Sequence, residues 1–147
     1  MRILNGKSAD ELRSLFIEAF VNKKSEYYKS AIREMRLCSD GLCYLGHLWD
    51  CFKNPEAVSI SFAKERLLAA EKLYVMWDIN SKDGILIPDY WKYPKRAVLE
   101  IRRDELDAVL PTLPEDAYFF DGSLEWTVAL THEYSEKNSR YCLFCRA

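Results

Sequence analysis

The hydrophobic period of this chain changes from helical to extended close to Glu71. Before that point apolar residues recur at intervals of three and four, which is the spacing of one helix face. After it, short runs rich in β-branched and aromatic residues alternate with turn residues, which is typical of strands. Helices followed by mostly antiparallel strands predict an α+β fold, with N-terminal helices packed on the sheet.

Three helices are predicted in the first half of the chain. The first covers residues 9–22, where Ser8 and Glu11 have the spacing of a capping box. The second starts at Ser25 and ends before the Asp40-Gly41 turn, and the third covers residues 60–70.

The second half predicts a sheet of about 4–6 strands. The expected strands are Lys72–Ile79, a short one at 85–87 after the Asp83-Gly84 turn, Ala97–Ile101, Ala117–Phe120, Leu124–His132 and Arg140–Cys145. Asp104 is expected to cap a short helix before Pro111. A length of 147 residues without a repeat or a linker predicts a single domain, 1–147.

The charge balance excludes several kinds of partner. The chain carries 21 basic and 23 acidic residues, a net charge of −2, whereas nucleic-acid binding favours a strongly basic surface. No apolar run approaches the roughly 20 residues that span a bilayer, and the start of the chain has no signal-peptide pattern. We therefore expect a cytoplasmic protein with no nucleic-acid and no membrane partner. These features fit a monomer and an oligomer alike.

The cysteine pattern predicts free thiols. The five cysteines are Cys38, Cys43, Cys51, Cys142 and Cys145, and an odd number without a signal peptide argues against a disulfide framework. Cys142 and Cys145 have CxxC spacing, but on a strand residues three apart point to opposite faces and share no metal. Cys38 and Cys43 flank a turn and can approach each other. We predict no metal site and no cofactor.

His132 is one of two histidines and lies in the predicted strand Leu124–His132. Strict alternation places it on the same face as Trp126, and this face is expected to be the core face. Glu133 points the other way, so a His132–Glu133 pair is not expected. We predict a partly buried imidazole that is hydrogen-bonded at the end of the sheet. Contact with a ligand or partner, and catalysis, are the alternatives.

The second histidine, His47, belongs to a run of uncertain type from Gly46 to Cys51. If this run is helical, His47 and Cys51 share a face, and the histidine could activate the thiol as a nucleophile. The neighbouring Leu48 and Trp49 favour packing instead.

No motif of a common enzyme class is present. The sequence has no P-loop, GxGxxG, GxSxG or HExxH pattern, and five glycines leave little material for a phosphate-binding loop. Acidic residues are plentiful, but no spacing selects a catalytic pair. We therefore predict no catalytic residue and a protein that is not an enzyme.

An aromatic loop gives the best indication of binding. Asp89, Tyr90, Trp91 and Tyr93 lie between Pro88 and Pro94, and tyrosine and tryptophan are favoured anchors at interfaces. The alternative is that the loop folds back on the core, where Trp77 and Trp126 are expected. The predicted binding residues are Asp89, Tyr90, Trp91, Tyr93, Glu125, Thr131, His132 and Glu133.

The C-terminal part of the chain resembles a known family. The stretch from Leu113 to Asp121, followed by Leu124-Glu125-Trp126-Thr127 and Thr131-His132-Glu133, is similar to the closing motif of a family of small bacterial proteins of unknown function. Leu48-Trp49 and Phe52 match an upstream element of the same family. In its small size, mildly acidic balance and lack of catalytic motifs, the chain is also similar to immunity proteins encoded beside bacterial toxins.

These features together predict a non-catalytic protein-binding domain, an immunity-type protein that neutralises a bacterial toxin by direct binding. The expected partner is a protein with a basic surface, for which a cognate toxin is the candidate, because the chain is mildly acidic. The alternatives are a small-molecule-binding or hydrolytic enzyme that uses His132 with Glu125 or a cysteine, and a structural partner protein.

Overall fold

A computed structural model describes residues 1–81, 83, 85, 87 and 89–147 and confirms the α+β prediction. Its strands are β1 (Arg2–Leu4), β2 (Arg36–Cys38), β3 (Gly41–Cys43), β4 (Glu56–Val58), β5 (Lys72–Trp77), β6 (Val98–Arg102), β7 (Ala117–Phe120), β8 (Trp126–Tyr134) and β9 (Arg140–Arg146). Seven of them form one sheet in the order β1-β6-β5-β7-β8-β9-β4, with every neighbouring pair antiparallel. β2 and β3 form a separate hairpin across the predicted Asp40-Gly41 turn.

The sheet has more strands than the sequence predicts because β1 and β4 are three residues long. Such short strands show no measurable alternation. The predicted Asp83-Gly84 turn and the strand at 85–87 include residues 84 and 86, which lie outside the described residues.

Among the described residues, the predicted helix at 60–70 is present within one residue of its bounds, whereas the other helices begin or end elsewhere than predicted. The helices are α1 (Gly6–Phe20), α2 (Ile60–Ala69) and α3 (Leu106–Val109), with a π-helical segment at Tyr28–Arg33 and 3-10 segments at Leu48–Cys51, Arg103–Glu105 and Leu110–Thr112. The predicted capping box at Ser8 is wrong, because α1 begins at Gly6 and Asn5 is its N-cap. Ser59 caps α2, with its hydroxyl oxygen accepting from the Phe62 N–H at 3.0 Å.

The sheet is buried on both faces and therefore separates two cores. The first core packs α1 and the segment 44–52 against one face, through Phe16, Phe20, Leu48, Trp49, Phe52, Met76, Tyr118 and Phe120 among others. The second core packs α2 and α3 against the other face, through Ala63, Leu67, Leu106, Val75, Trp77, Phe119, Trp126 and Val128 among others. The expectation that Trp77 and Trp126 are core residues is confirmed.

The prediction that the Trp126 face of β8 is the core face holds for Trp126, Val128 and Leu130. Thr127, Ala129 and Thr131 on the other face are buried as well, because the first core covers that face. The two hydroxyls are satisfied: Thr127 donates to the Phe119 carbonyl at 3.0 Å and Thr131 to the Tyr141 carbonyl at 2.8 Å. A strand covered on both sides shows no clean alternation of polar and apolar residues.

A buried arginine joins α1 to the sheet. The guanidinium of Arg13 donates to the carbonyls of Trp77 at 2.9 Å and Ala97 at 3.1 Å, and to those of Lys95 and Arg96 at 3.0 Å each. Four carbonyl acceptors satisfy the charge without a carboxylate partner at hydrogen-bond distance among the described residues. This contact fixes the end of β5 beside the start of β6.

All five cysteines are free. Cys142 belongs to the second core and Cys145 to the first, which confirms that the CxxC side chains point to opposite faces of the sheet. In the described ranges, no helix has the length and apolar character needed to cross a membrane.

Candidate functional site

Three strands of the sheet bring polar residues together at one end. Trp77 of β5 pairs with Ala117 of β7, and Ala117 pairs with Leu130 of β8. Asp78 therefore follows β5 at the point where Asp116 precedes β7. Because antiparallel neighbours end and begin at the same edge of a sheet, both carboxylates lie close to the last residues of β8.

The prediction that His132 lies beside Trp126 is wrong. The pairing of β8 with β9 shifts register between Leu130 and Tyr134, and such an irregularity breaks the alternation of side chains. The imidazole of His132 lies against His47, with ring centroids 5.0 Å apart, and against Trp49 at 6.1 Å. It is therefore on the side of the first core, with its side chain 40% exposed.

A carboxylate holds the ring of His132. Nδ1 lies 3.0 Å from each oxygen of Asp116, and the backbone N–H of His132 donates to Oδ1 of the same carboxylate at 3.1 Å. The indole N–H of Trp49 also donates to Oδ1, at 2.9 Å. Asp116 is thus fixed from two sides, and its Oδ2 faces His47 Nδ1 at 3.7 Å.

A second and deeper carboxylate holds the ring of His47. Asp78 has a side-chain exposure of 1%, and its Oδ2 lies 2.9 Å from Nδ1 of His47. The Leu48 N–H donates to Oδ1 at 3.0 Å, and the Tyr118 hydroxyl lies 2.9 and 2.8 Å from the two oxygens. The hydrogen bonds fix both the position of the imidazole and its tautomer, because a carboxylate partner places the proton on Nδ1.

Burial and charge act against each other on this pair. Burial raises the pKa of Asp78, and the hydrogen bond from His47 and the charge of His47 oppose the change. Burial alone would lower the pKa of His47, but the hydrogen bond to Asp78 and the charges of Asp78, Asp116 and Asp50 outweigh it and raise the pKa. Burial also raises the pKa of Tyr118 well above its usual range, so its hydroxyl remains a donor at neutral pH.

Both imidazoles open into one cleft of about 340 Å³. Its walls include His47, His132, Asp78, Asp116, Tyr90 and Trp91. A concave site with a few convergent polar groups and shifted pKa values is the usual form of a small-molecule site.

Two of the predicted binding residues in the aromatic loop lie at this cleft. Tyr90 and Trp91 line it, and the Tyr90 hydroxyl accepts from the Glu115 N–H at 3.0 Å. Asp89 is exposed beside them. Tyr93 points elsewhere, because its ring packs against Trp77 at 5.8 Å and thereby covers the second core.

The structure does not bring the other predicted binding residues to the cleft. Thr131 is buried, while Glu125 and Glu133 are exposed away from it. Of the residues predicted at the end of β8, only His132 lines the cleft. The predicted binding roles of Glu125, Thr131 and Glu133 stay predictions.

The suggested thiol–imidazole pair is wrong. His47 is the N-cap of the 3-10 segment Leu48–Cys51, not a residue inside a helix. The Cys51 thiol donates to the Leu48 carbonyl at 3.3 Å, and burial raises its pKa to about 12. A thiol with such a pKa is not a nucleophile at neutral pH.

Local sequence pattern selects neither Asp78 nor Asp116, and it suggests a partner for His47 only in Cys51. A signal for both carboxylates is present in the sequence: Asp78 directly follows the apolar run of β5, and Asp116 directly precedes that of β7. Polar residues at the adjoining ends of neighbouring strands are expected to meet. The signal needs the strand order, which the sequence does not reveal.

Known proteins provide no further guide to the site. No protein-family model, curated protein or solved structure matches this chain. The function must therefore be argued from the geometry of the site itself.

Proposed function

We propose that this protein binds a small molecule in the cleft and hydrolyses it, with His47 and His132 activating water. One observation carries the proposal: two imidazoles line the same cleft, each held at Nδ1 by a different carboxylate. This is the arrangement that general acid–base catalysis requires, because a fixed tautomer leaves the other ring nitrogen ready to exchange a proton.

The free nitrogens support the roles of the two rings. Within the described part of the chain, Nε2 of His47 and Nε2 of His132 have no hydrogen-bond partner. One Nε2 takes a proton from water, the water oxygen attacks the electrophilic atom of the substrate, and the other imidazole protonates the leaving group. His132 suits the first role because it is the more exposed ring.

Water is the attacking group in this proposal because a nucleophilic side chain is missing at the rings. No serine or cysteine side chain among residues 1–81, 83, 85, 87 and 89–147 is hydrogen-bonded to either imidazole. Tyr90 and Trp91 form an aromatic wall of the cleft, which favours a substrate with a planar or apolar portion.

The test compares two substitutions on the same strand. His132→Ala removes one imidazole, and Tyr134→Ala removes an exposed ring that lies outside the cleft. Both variants are assayed against chromogenic esters, phosphoesters and amides, and their unfolding is followed by circular dichroism. We expect both to fold like the wild type and only His132→Ala to lose turnover, by about 10²–10⁴-fold. Equal activity of the two variants, or no turnover by the wild type, would contradict the proposal.

A second candidate function is the binding of a toxin by an immunity-type protein. Its support is an apolar patch on the β2–β3 hairpin, where Leu37 and Leu42 lie directly opposite each other and are 77% and 53% exposed. Leu45 follows the hairpin and is exposed as well. An exposed apolar cluster is typical of a protein-binding surface.

This candidate is tested by expressing the chain together with the product of its neighbouring gene. We expect the two proteins to co-purify, the chain to rescue growth, and Leu37→Ser with Leu42→Ser to abolish both effects. Failure of the wild-type chain to co-purify or to rescue growth removes the candidate.

A further inference from the structure

We infer that His47, Asp116 and His132 together bind one divalent transition-metal ion, with zinc as the best fit. Each residue offers a ligand atom, and these atoms all lie within 4.8 Å of one another. The inference rests on the proposed function in that it places the ion in the same cleft. The hydrolysis proposed for the cleft stays the same, and the inference adds that a bound ion, held by the two imidazoles and Asp116, activates the water.

The set of ligand types selects the class of ion. Two imidazoles and one carboxylate suit zinc and its neighbours in the first transition row, whereas calcium and magnesium prefer oxygen ligands alone. Three protein ligands leave a fourth position of a tetrahedral ion for water. All three ligand residues line the cleft, so water and substrate can reach an ion bound there.

The distances at Asp116 are compatible with an ion in place of a proton. Nδ1 of His132 and Oδ2 of Asp116 are 3.0 Å apart. Two ligand atoms around a tetrahedral zinc ion with bonds of about 2.0 Å are separated by roughly 3.3 Å. A small movement of either side chain therefore admits the ion.

The residues around the ligands orient them in advance. Asp78 fixes the ring of His47 through Nδ1, and a carboxylate partner of this kind is the usual support for a metal-bound histidine. The Trp49 indole N–H and the His132 backbone N–H occupy Oδ1 of Asp116 and leave Oδ2 as the ligand atom.

The charge of the site is an independent argument for a cation. Asp78 faces His47 and Asp116 faces both imidazoles, and in the described ranges no lysine or arginine lies within ion-pair distance of either carboxylate. Two carboxylates around one imidazole, of which Asp78 is almost fully buried, are costly to keep together unless positive charge is close. A divalent ion balances both carboxylates and lowers the pKa of its bound water to about 7.

The experiment measures metal binding without any substrate. Protein stripped with a chelator is titrated with ZnCl₂ by calorimetry and with CoCl₂ by visible absorption spectroscopy. We expect one ion per chain and the d–d bands of a four- or five-coordinate cobalt ion. His132→Ala and Asp116→Asn should each weaken zinc binding by at least about 100-fold. Loss of a residue that only orients a ligand costs up to about 100-fold in affinity, and loss of the ligand itself costs more.

A matched control separates metal binding from the loss of a hydrogen bond. Asp121 also accepts a tryptophan indole N–H, from Trp126 at 3.1 Å, but it does not line the cleft. Asp121→Asn should leave the metal affinity unchanged. An equal effect of Asp116→Asn and Asp121→Asn would overturn the inference.

The thiols Cys38 and Cys43 are the competing ligands. A variant with both replaced by serine should bind the ion as the wild type does, without a thiolate-to-cobalt band in either protein. The inference is overturned if the wild type binds no ion, if binding survives His132→Ala, or if it depends on the two thiols.

Turnover separates this inference from the proposed function. Full hydrolysis by the stripped protein would overturn the inference and leave the function in place. A bound ion with no hydrolysis of any substrate would overturn the function and leave the ion site in place.

Discussion

Among single residues, Asp78 is the most firmly held group of the site. It is buried at the end of β5 and receives hydrogen bonds from His47, the Leu48 N–H and Tyr118. A buried carboxylate is stable only when such donors replace the water it has lost. The cluster therefore has a structural role in joining the segment 44–52 to the sheet, in addition to orienting an imidazole.

Removing one hydroxyl tests that structural role. In Tyr118→Phe, Asp78 loses a donor and the Trp49 N–H loses its acceptor at 3.2 Å. We expect the free energy of unfolding in urea to fall by about 1–3 kcal/mol. Tyr44→Phe is the control: Tyr44 is also buried, but its hydroxyl makes no hydrogen bond to another described residue. Its effect should stay within about 0.5 kcal/mol. Equal effects of the two substitutions would contradict this account.

The thiols are expected to differ in reactivity. A hydrogen bond with Arg36 and another with Cys43 lower the pKa of Cys38, whereas burial raises the pKa of Cys145 to about 11 and that of Cys51 to about 12. Because the thiolate is the reactive form, limited alkylation near neutral pH should modify Cys38 first, as measured by peptide mass spectrometry.

Alkylation of the unfolded protein is the control for this prediction, since all five thiols should then react at similar rates. Modification of Cys51 before Cys38 in the folded protein would show that the assigned environments are wrong.

At the scale of elements, the sequence predicts what depends on local pattern. The strands Lys72–Trp77, Val98–Arg102 and Ala117–Phe120 and the helix Ile60–Ala69 lie within one or two residues of the predicted ranges. The position of His132 could not be predicted, because a register shift against β9 depends on a partner strand rather than on the residues of β8. The same holds for its meeting with His47, which is 85 positions away in the sequence.

The link between α1 and the sheet should depend on one side chain. Arg13→Met removes the donors of four backbone carbonyls in the region of Trp77 and residues 95–97. We expect the free energy of unfolding to fall by about 3 kcal/mol or more, because the carbonyls lose charged donors in a buried place. Chemical denaturation measures this loss.

Arg33→Met is the matched control for the arginine. Arg33 is exposed and makes no hydrogen bond or ion pair with another described residue. Its replacement should change the free energy of unfolding by less than about 0.5 kcal/mol. If Arg13→Met lowered the free energy of unfolding by as little as Arg33→Met, the prediction would be contradicted. Water would then have replaced the guanidinium as the donor to the four carbonyls.

For the molecule as a whole, the change of hydrophobic period predicts the fold class but not the two-sided burial of the sheet. Strands such as β5 send alternate residues into different cores: Val75 into the second and Met76 into the first. A continuous apolar run fits a strand that is buried on both faces, but it also fits a buried helix. The elements that cover the two faces decide between them, and the sequence does not reveal those elements. The segment 44–52 belongs to the first core and contacts one end of the sheet. The site lies at that end.

Metal binding should stabilise the entire fold, because the three ligands come from separate parts of the chain. With zinc at 100 times its Kd, the free energy of unfolding should rise by about 2.7 kcal/mol. For a chain of this size the midpoint temperature then rises by roughly 8 °C, which differential scanning calorimetry measures. His132→Ala should show no such rise, and a rise of equal size in that variant would place the ion elsewhere.

The outermost strands of the sheet, β1 and β4, are each only three residues long. Each edge strand therefore offers few backbone N–H and C=O groups for hydrogen bonds with a strand of another molecule. Short edge strands of this kind limit edge-to-edge pairing with other chains, while each of the long hydrophobic strands between them is paired on both sides.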